Sequence, residues 1–224
     1  MKARNLEEEI TELRNQLLAM VDLVDEQCAN AIEALLQQDR DLAAQVIERD
    51  ERIDEMELEI DNICERILAL HQPVAVDLRL IITAIKVNTD LERIGDHCTN
   101  LAKGTGHLTR YPNVLPDTYI EEMAQSVRDM LQNALAAFVQ QDDEGARTVL
   151  TSDQEIDVLH LRNFIALSRL SQDQPELSEP AAHLITISKA LERISDHATN
   201  IAEDVIFLIE GVDIRHQGTP VQEE

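Results

Sequence analysis

Two decapeptides, LERIGDHCTN from Leu91 and LERISDHATN from Leu191, agree at eight of ten positions and start 100 residues apart. On a helix, Glu92, Asp96 and Asn100 stand four residues apart and share a face, as do Glu192, Asp196 and Asn200. Each half also holds a second acidic pair at the same spacing, Asp50 with Asp54 and Asp153 with Asp157. Like charges four apart destabilise a helix by a few tenths of a kcal/mol. Their recurrence on two helices able to pack side by side points to a cation between them. Four carboxylates and an amide oxygen are hard donors, suited to Mg²⁺, Ca²⁺, Mn²⁺ or iron before a thiolate-bound structural Zn²⁺. These ten residues are the expected metal ligands. The bland alternative is a helical scaffold whose carboxylates are merely solvated.

The neighbours of these acids read differently. Gly95, matched by the small Ser195, leaves room for a close approach beside the carboxylates. His97 and His197 lie about 100° round the helix from the preceding Asp, which assigns them to packing or surface. Arg93 and Arg193 are placed to pair with Asp96 and Asp196 at i+3. Asp157-x-x-His160 resembles half of a di-iron element, which would make an oxygen-reactive, ferritin-like oxidase the rival reading. Such sites use two Glu-x-x-His elements, however, and the counterpart of His160 in the first half is Glu57.

Long helices must position these residues. The chain has six Gly, six Pro, no Trp, two Tyr and three Phe, a composition that favours an all-α protein. Gln37, Gln38, Asp39, Ala43, Val46, Asp50, Ile53 and Asp54 recur 103 residues later, at Gln140 to Asp157. Because the decapeptides are offset by only 100, the first half holds three extra residues, expected in a loop. The halves are two copies of one unit.

Apolar residues at three-four spacing predict three helices per unit. One stripe runs through Leu6, Ile10, Leu13, Leu17, Met20, Val24, Cys28, Ala31 and Leu35. A second runs from Leu42 to about Leu70, capped by Asp39 or Asp41 and broken at Pro73. A third includes Leu78, Ile81, Ile82, Leu91, Ile94, Cys98 and Leu101, and is expected to end near Gly104 and Gly106. HLTRYPNVLPD should link the units, with Asp117 capping the fourth helix and Asp142 or Asp143 the fifth; SQDQPELSEP should divide fifth from sixth. The expectation is six long helices in two tandem, pseudo-symmetric antiparallel three-helix bundles, residues 1–108 and 109–213, followed by a flexible acidic tail at 214–224.

Forty-four acidic against 19 basic residues leave a formal charge of −25, which disfavours nucleic acid and anionic lipid as partners. Metal cations and basic protein surfaces are favoured. Cys28, Cys64 and Cys98 form no C-x-x-C pair and read as reduced thiols. No apolar leader and no run of 18 apolar residues occurs, so a cytoplasmic protein without membrane insertion is expected. No P-loop, G-x-S-x-G, H-E-x-x-H or dinucleotide fingerprint is found, and the chain reads as a binding protein rather than an enzyme.

The run QPVAVDLRLIITAIKVNTDLERIGDHCTNLAK, with LERISDHATNIAEDV in the second half, resembles the PhoU family of bacterial phosphate-transport regulators. The likeness extends from about Leu6 to Gly218. It implies a fold of two three-helix bundles and cation binding, in some members as metal clusters, at Asp50, Asp54, Glu92 and Asp96 and at Asp153, Asp157, Glu192 and Asp196. Mg, Mn, Fe or Zn are the cations to expect. It further implies a negative regulator of phosphate-responsive genes, linking the phosphate ABC transporter to its sensor histidine kinase and restraining phosphate uptake. The implied partners are the kinase's cytoplasmic sensory region, the transporter's ATPase subunit and a second copy of the chain. The implied location is peripheral to the inner membrane, through those partners.

Overall fold

The computed structural model describes residues 5–111 and 118–215. Positions 112–117 of the predicted linker, including Asp117, and the tail beyond 215 lie outside them. Among the described residues there are six α-helices and no strand: α1 (Leu6–Gln37), α2 (Arg40–His71), α3 (Ala75–Leu108), α4 (Ile120–Gln140), α5 (Asp143–Asp173) and α6 (Ser178–Glu210). None is long and apolar enough to cross a membrane.

The repeated Gln-Gln-Asp marks the same turn in both halves. Gln38 and Gln141 adopt left-handed backbone, at φ 53° and 54°, just past the ends of α1 and α4. The next amides donate back to Ala34 and Ala137 carbonyls at 2.9 and 3.0 Å, closing both helix ends. Asp39 caps α2 by accepting from the Asp41 and Leu42 amides. Asp142 holds the N-cap position of α5 without a side-chain bond. Tyr119 takes that position at α4, its amide donating to Asn163 Oδ1 at 2.9 Å.

The predicted apolar stripes of α1 and α2 face inward, with Leu13, Met20, Val24, Leu35, Ile53, Ile60 and Ile67 fully buried. In α3, Leu78 and Ile82 are instead exposed, because the inward face there is carried by Ile81, Ala84 and Val87. Nor does α3 stop at its glycines. It continues to Leu108, since Gly104 is pressed against Ile187 of α6 and packing overrides its weak helix propensity. The three extra residues of the first half also escape the loop. Leu91 lies 16 residues beyond the start of α3, whereas Leu191 lies 13 beyond the start of α6, so α3 is nearly a turn longer at its front.

Within each half the three helices pack on one another, and α3 packs as extensively against α6. The pairings Lys86–Asp204 and His107–His183 at opposite ends show that α3 and α6 run antiparallel. One apolar cluster spans both halves, joined also by α1 against α4, where Arg128 grips Asp25 with two hydrogen bonds. The two bundles therefore share a core instead of standing as separate beads. Cys28, Cys64 and Cys98 are buried free thiols within it.

The seam predicts opposite outcomes for one substitution at two neighbouring glycines. A Cβ on Gly104 would sit 2.7 Å from Ile187 Cγ1, while one on Gly106 meets nothing within 4 Å. Gly104→Ala should lower stability by about 1–3 kcal/mol, and Gly106→Ala should raise it by roughly 0.5–1 kcal/mol. Urea unfolding of both variants checks this; equal effects would mean that the seam yields without cost.

Candidate functional site

Helix α2 meets α3 at Gly95. A Cβ there would fall 2.9 Å from Ile53 Cδ1 and 3.5 Å from Asp50 Oδ1, so the small residue lets the helices close around the carboxylate. In the second half Ser195 occupies this contact and folds its hydroxyl back onto the Glu192 carbonyl at 2.7 Å.

Around that contact the acids of α2 and α3 face each other. Burial raises the Asp50 carboxyl above its ordinary value, and Asp54 and Asp96 raise it further, against the Thr99 hydroxyl and Lys103. Burial likewise raises Glu92, reinforced by Asp96, Glu57 and Asp54 and opposed by Arg93. In the second half Asp153 is raised by burial, then by Asp157, Asp196 and Glu192, with the Thr199 hydroxyl opposing. Asp196 is raised by burial and by Glu192, with Arg193 opposing. The eight predicted carboxylates thus form two mutually repelling quartets, one per half.

Their free valences are those a hard cation would use. Glu92 Oε2 and Asp153 Oδ1 are buried without a hydrogen-bond partner; Arg93 Nε stands 3.2 Å from the former. As they stand, no three His, Cys, Asp or Glu side chains among the described residues close into a metal-ligand group. Side-chain cations hold them instead. Arg93 bonds Asp96 at 3.4 Å, Arg193 bonds Asp196 at 3.0 Å, and Lys189 Nζ reaches both Glu192 oxygens at 2.6 and 2.5 Å. The donor chemistry fits a hard metal ion, which would take the place of these arginines and lysine.

Asn100 and Asn200 do not join the quartets. Each four-residue step turns about 40° round the helix, so two steps from Glu92 or Glu192 carry the amide off the acidic face. Asn200 Nδ2 instead donates to Asp90 Oδ1 at 3.0 Å, and Asn100 lines a cavity between α3 and α6. His97 and His197 also belong to this seam, stacked 5.5 Å apart, with His197 Nδ1 at 2.7 Å from Asp90 Oδ1. Burial, His197 and the nearby Arg193 push the His97 pKa down to about 4. His160 is turned to Ser188 Oγ at 2.8 Å.

Four participants escaped the sequence reading of the site. Thr99 and Thr199 face Asp50 and Asp153, and their identity at matching places in both decapeptides was the available signal. Glu57 and Asp61 add negative charge to the first quartet alone, with Glu57 raised by burial and then by Asp61 and Asp54. They too lie one helical turn on from Asp54 and from each other, a continuation of its acidic stripe.

Comparison with known proteins bears on the whole chain. A PhoU domain model matches residues 17–105 and again 120–205. The chain is 42% identical over 212 residues to a phosphate-specific transport system accessory protein PhoU homolog of Pseudomonas putida, covering 94% of this chain and 82% of that one. A homolog of the same description from Clostridium acetobutylicum is 33% identical, with 96% and 98% covered. The crystal structure of PhoU from Pseudomonas aeruginosa superposes with a TM-score of 0.88 at 38% identity, covering 93% of this chain and 100% of the other. The phosphate transport system regulatory protein PhoU from Streptococcus pneumoniae gives 0.84 at 30% identity, with 93% and 99% covered.

The raised carboxyls make stability depend on pH in a defined direction. Each binds protons more tightly folded than unfolded, so metal-free stability should fall as pH rises from the ordinary carboxylate range, about 4, through the raised native values. Asp50→Asn should flatten that fall and raise stability at neutral pH by a few tenths of a kcal/mol. Thermal unfolding of chelator-treated protein from about pH 4 to 7 checks it; a steeper fall in the variant would contradict the mutual repulsion.

Proposed function

The chain belongs to the PhoU family, and from that premise we propose that it is a regulatory accessory protein of phosphate transport that binds metal at two carboxylate sites. The observation that carries the reading is similarity along nearly the whole chain, coupled with the two facing quartets. Asp50, Asp54, Glu92 and Asp96 would hold one cation site, and Asp153, Asp157, Glu192 and Asp196 the other. A bound ion supplies positive charge to a protein of −25 and relieves repulsion among the carboxylates. The halves would differ, because Glu57 enriches the first site in oxygen where His160 is already engaged by Ser188 in the second.

The regulatory role proposed is negative. In ample phosphate the protein would stand on the cytoplasmic side between the phosphate ABC transporter's ATPase subunit and the membrane sensor kinase, as a homodimer, and keep phosphate-responsive genes silent. Helices of about 45 Å offer long faces for docking other helical proteins. Neutralising an acidic face with metal would lessen repulsion toward acidic partners. The engagement of His160 with Ser188 argues against the ferritin-like oxidase reading. A metal-free scaffold is the remaining alternative.

Deletion of the gene should switch on a phosphate-starvation reporter in phosphate-rich medium, and the wild-type gene should silence it again. A reporter that stays silent after deletion would refute the regulatory role. Elemental analysis of protein purified without chelator should find metal, and Asp50→Asn with Asp54→Asn should remove the first site's share and leave the second site's. Metal-free protein with full reporter activity would support the scaffold reading.

A further inference from the structure

The two ends of the α3–α6 seam occupy equivalent places in the repeat but have opposite charge. At one end Lys86 Nζ bonds Asp204 Oδ1 at 2.7 Å, and three acids, Asp90, Glu203 and Asp204, line the cavity with Lys86 and Arg215. At the other end, 100 residues along the repeat, Asp90 is replaced by Ala190, Glu203 by Lys103, Asp204 by Gly104, and Phe207 by His107. Each replacement removes negative charge, adds a cation or adds a nitrogen donor. A cavity of about 450 Å³ lies beside Gly104, whose own Cα is packed against Ile187.

That cavity is lined by Lys103, Lys189, Arg193, His97, His107 and His183, among others, with no Asp or Glu. In a chain with 44 acidic residues, a hollow whose charged lining residues are all basic runs against the average field of the molecule. Lys189 and Arg193 are already engaged by Glu192 and Asp196. Lys103 makes no hydrogen bond or close ion pair with a described residue. His107 and His183 stack face to face across the two helices, centroids 4.3 Å apart and 5° from parallel, which aligns their ring edges at one rim. Asn100 and Thr186 add neutral polar groups able to meet a bound oxygen or its proton.

We propose that this seam cavity is a binding site for a phosphoryl anion, either inorganic phosphate or the phosphate of a small ester. Lys103, whose charge also acts on Asp50, supplies an ammonium with no close ion-pair partner among the described residues. The histidine pair and Asn100 supply N–H donors, and Arg193 and Lys189 raise the local potential. The volume is ample for a phosphoryl group with some of its water. Lys103, His107 and His183 are not among the proposed metal ligands, although Lys189 and Arg193 are paired with Glu192 and Asp196.

Isothermal titration of the full chain with inorganic phosphate and, separately, with glycerol 3-phosphate tests the proposal at constant chloride. Saturable binding of at least one is expected, and the preferred one identifies the free ion or the ester as the source. Lys103→Glu should weaken it by about tenfold or more, whereas Lys103→Arg should retain it. Lys103 is exposed, and circular dichroism verifies that both variants remain helical. No saturable binding of either ligand by the wild type, or binding unchanged by Lys103→Glu, would overturn the site.

Discussion

The antiparallel contact between α3 and α6 is the constraint on which the rest of the structure depends. It is made by buried apolar residues from both units, brought close by Gly104 against Ile187. Once these helices are fixed, every charged feature has its place. Glu92 and Asp96 face outward from the seam onto α2, and Glu192 and Asp196 onto α5, while Asp90, His97, His197 and Asn200 are drawn into the seam itself.

Magnitudes explain how facing acids are tolerated. Repulsion between neighbouring carboxylates costs a few tenths of a kcal/mol per pair. Burying one Leu or Ile contributes about 1.5–3 kcal/mol, and the shared core holds many. The fold therefore tolerates two repelling quartets, and Arg93, Lys189 and Arg193 offset part of their charge.

The pseudo-symmetry thus holds in helix order and is broken in charge. Equivalent turns carry the same left-handed glutamines, yet Glu57 corresponds to His160 in the repeat and Lys103 to Glu203. Two copies of one scaffold can diverge in this way because the substitutions lie at helix surfaces and seam rims, where they leave the core stripes untouched.

Helix number, the inward stripes of α1 and α2, the duplicated turn and the pairing of Asp50, Asp54, Glu92 and Asp96 were legible from residue order, since all follow from helical periodicity and repetition. Periodicity describes one helix at a time, so it placed Asn100 and Asn200 on the acidic face that they leave by steady angular drift. It likewise ended α3 near Gly104 and Gly106, although Gly104 is packed against the neighbouring α6 and the helix runs on to Leu108. Which helix abuts which is decided by three-dimensional packing between residues far apart in the chain. Only that packing brought Asp90 to His197, opened the hollow beside Gly104 and turned His160 toward Ser188.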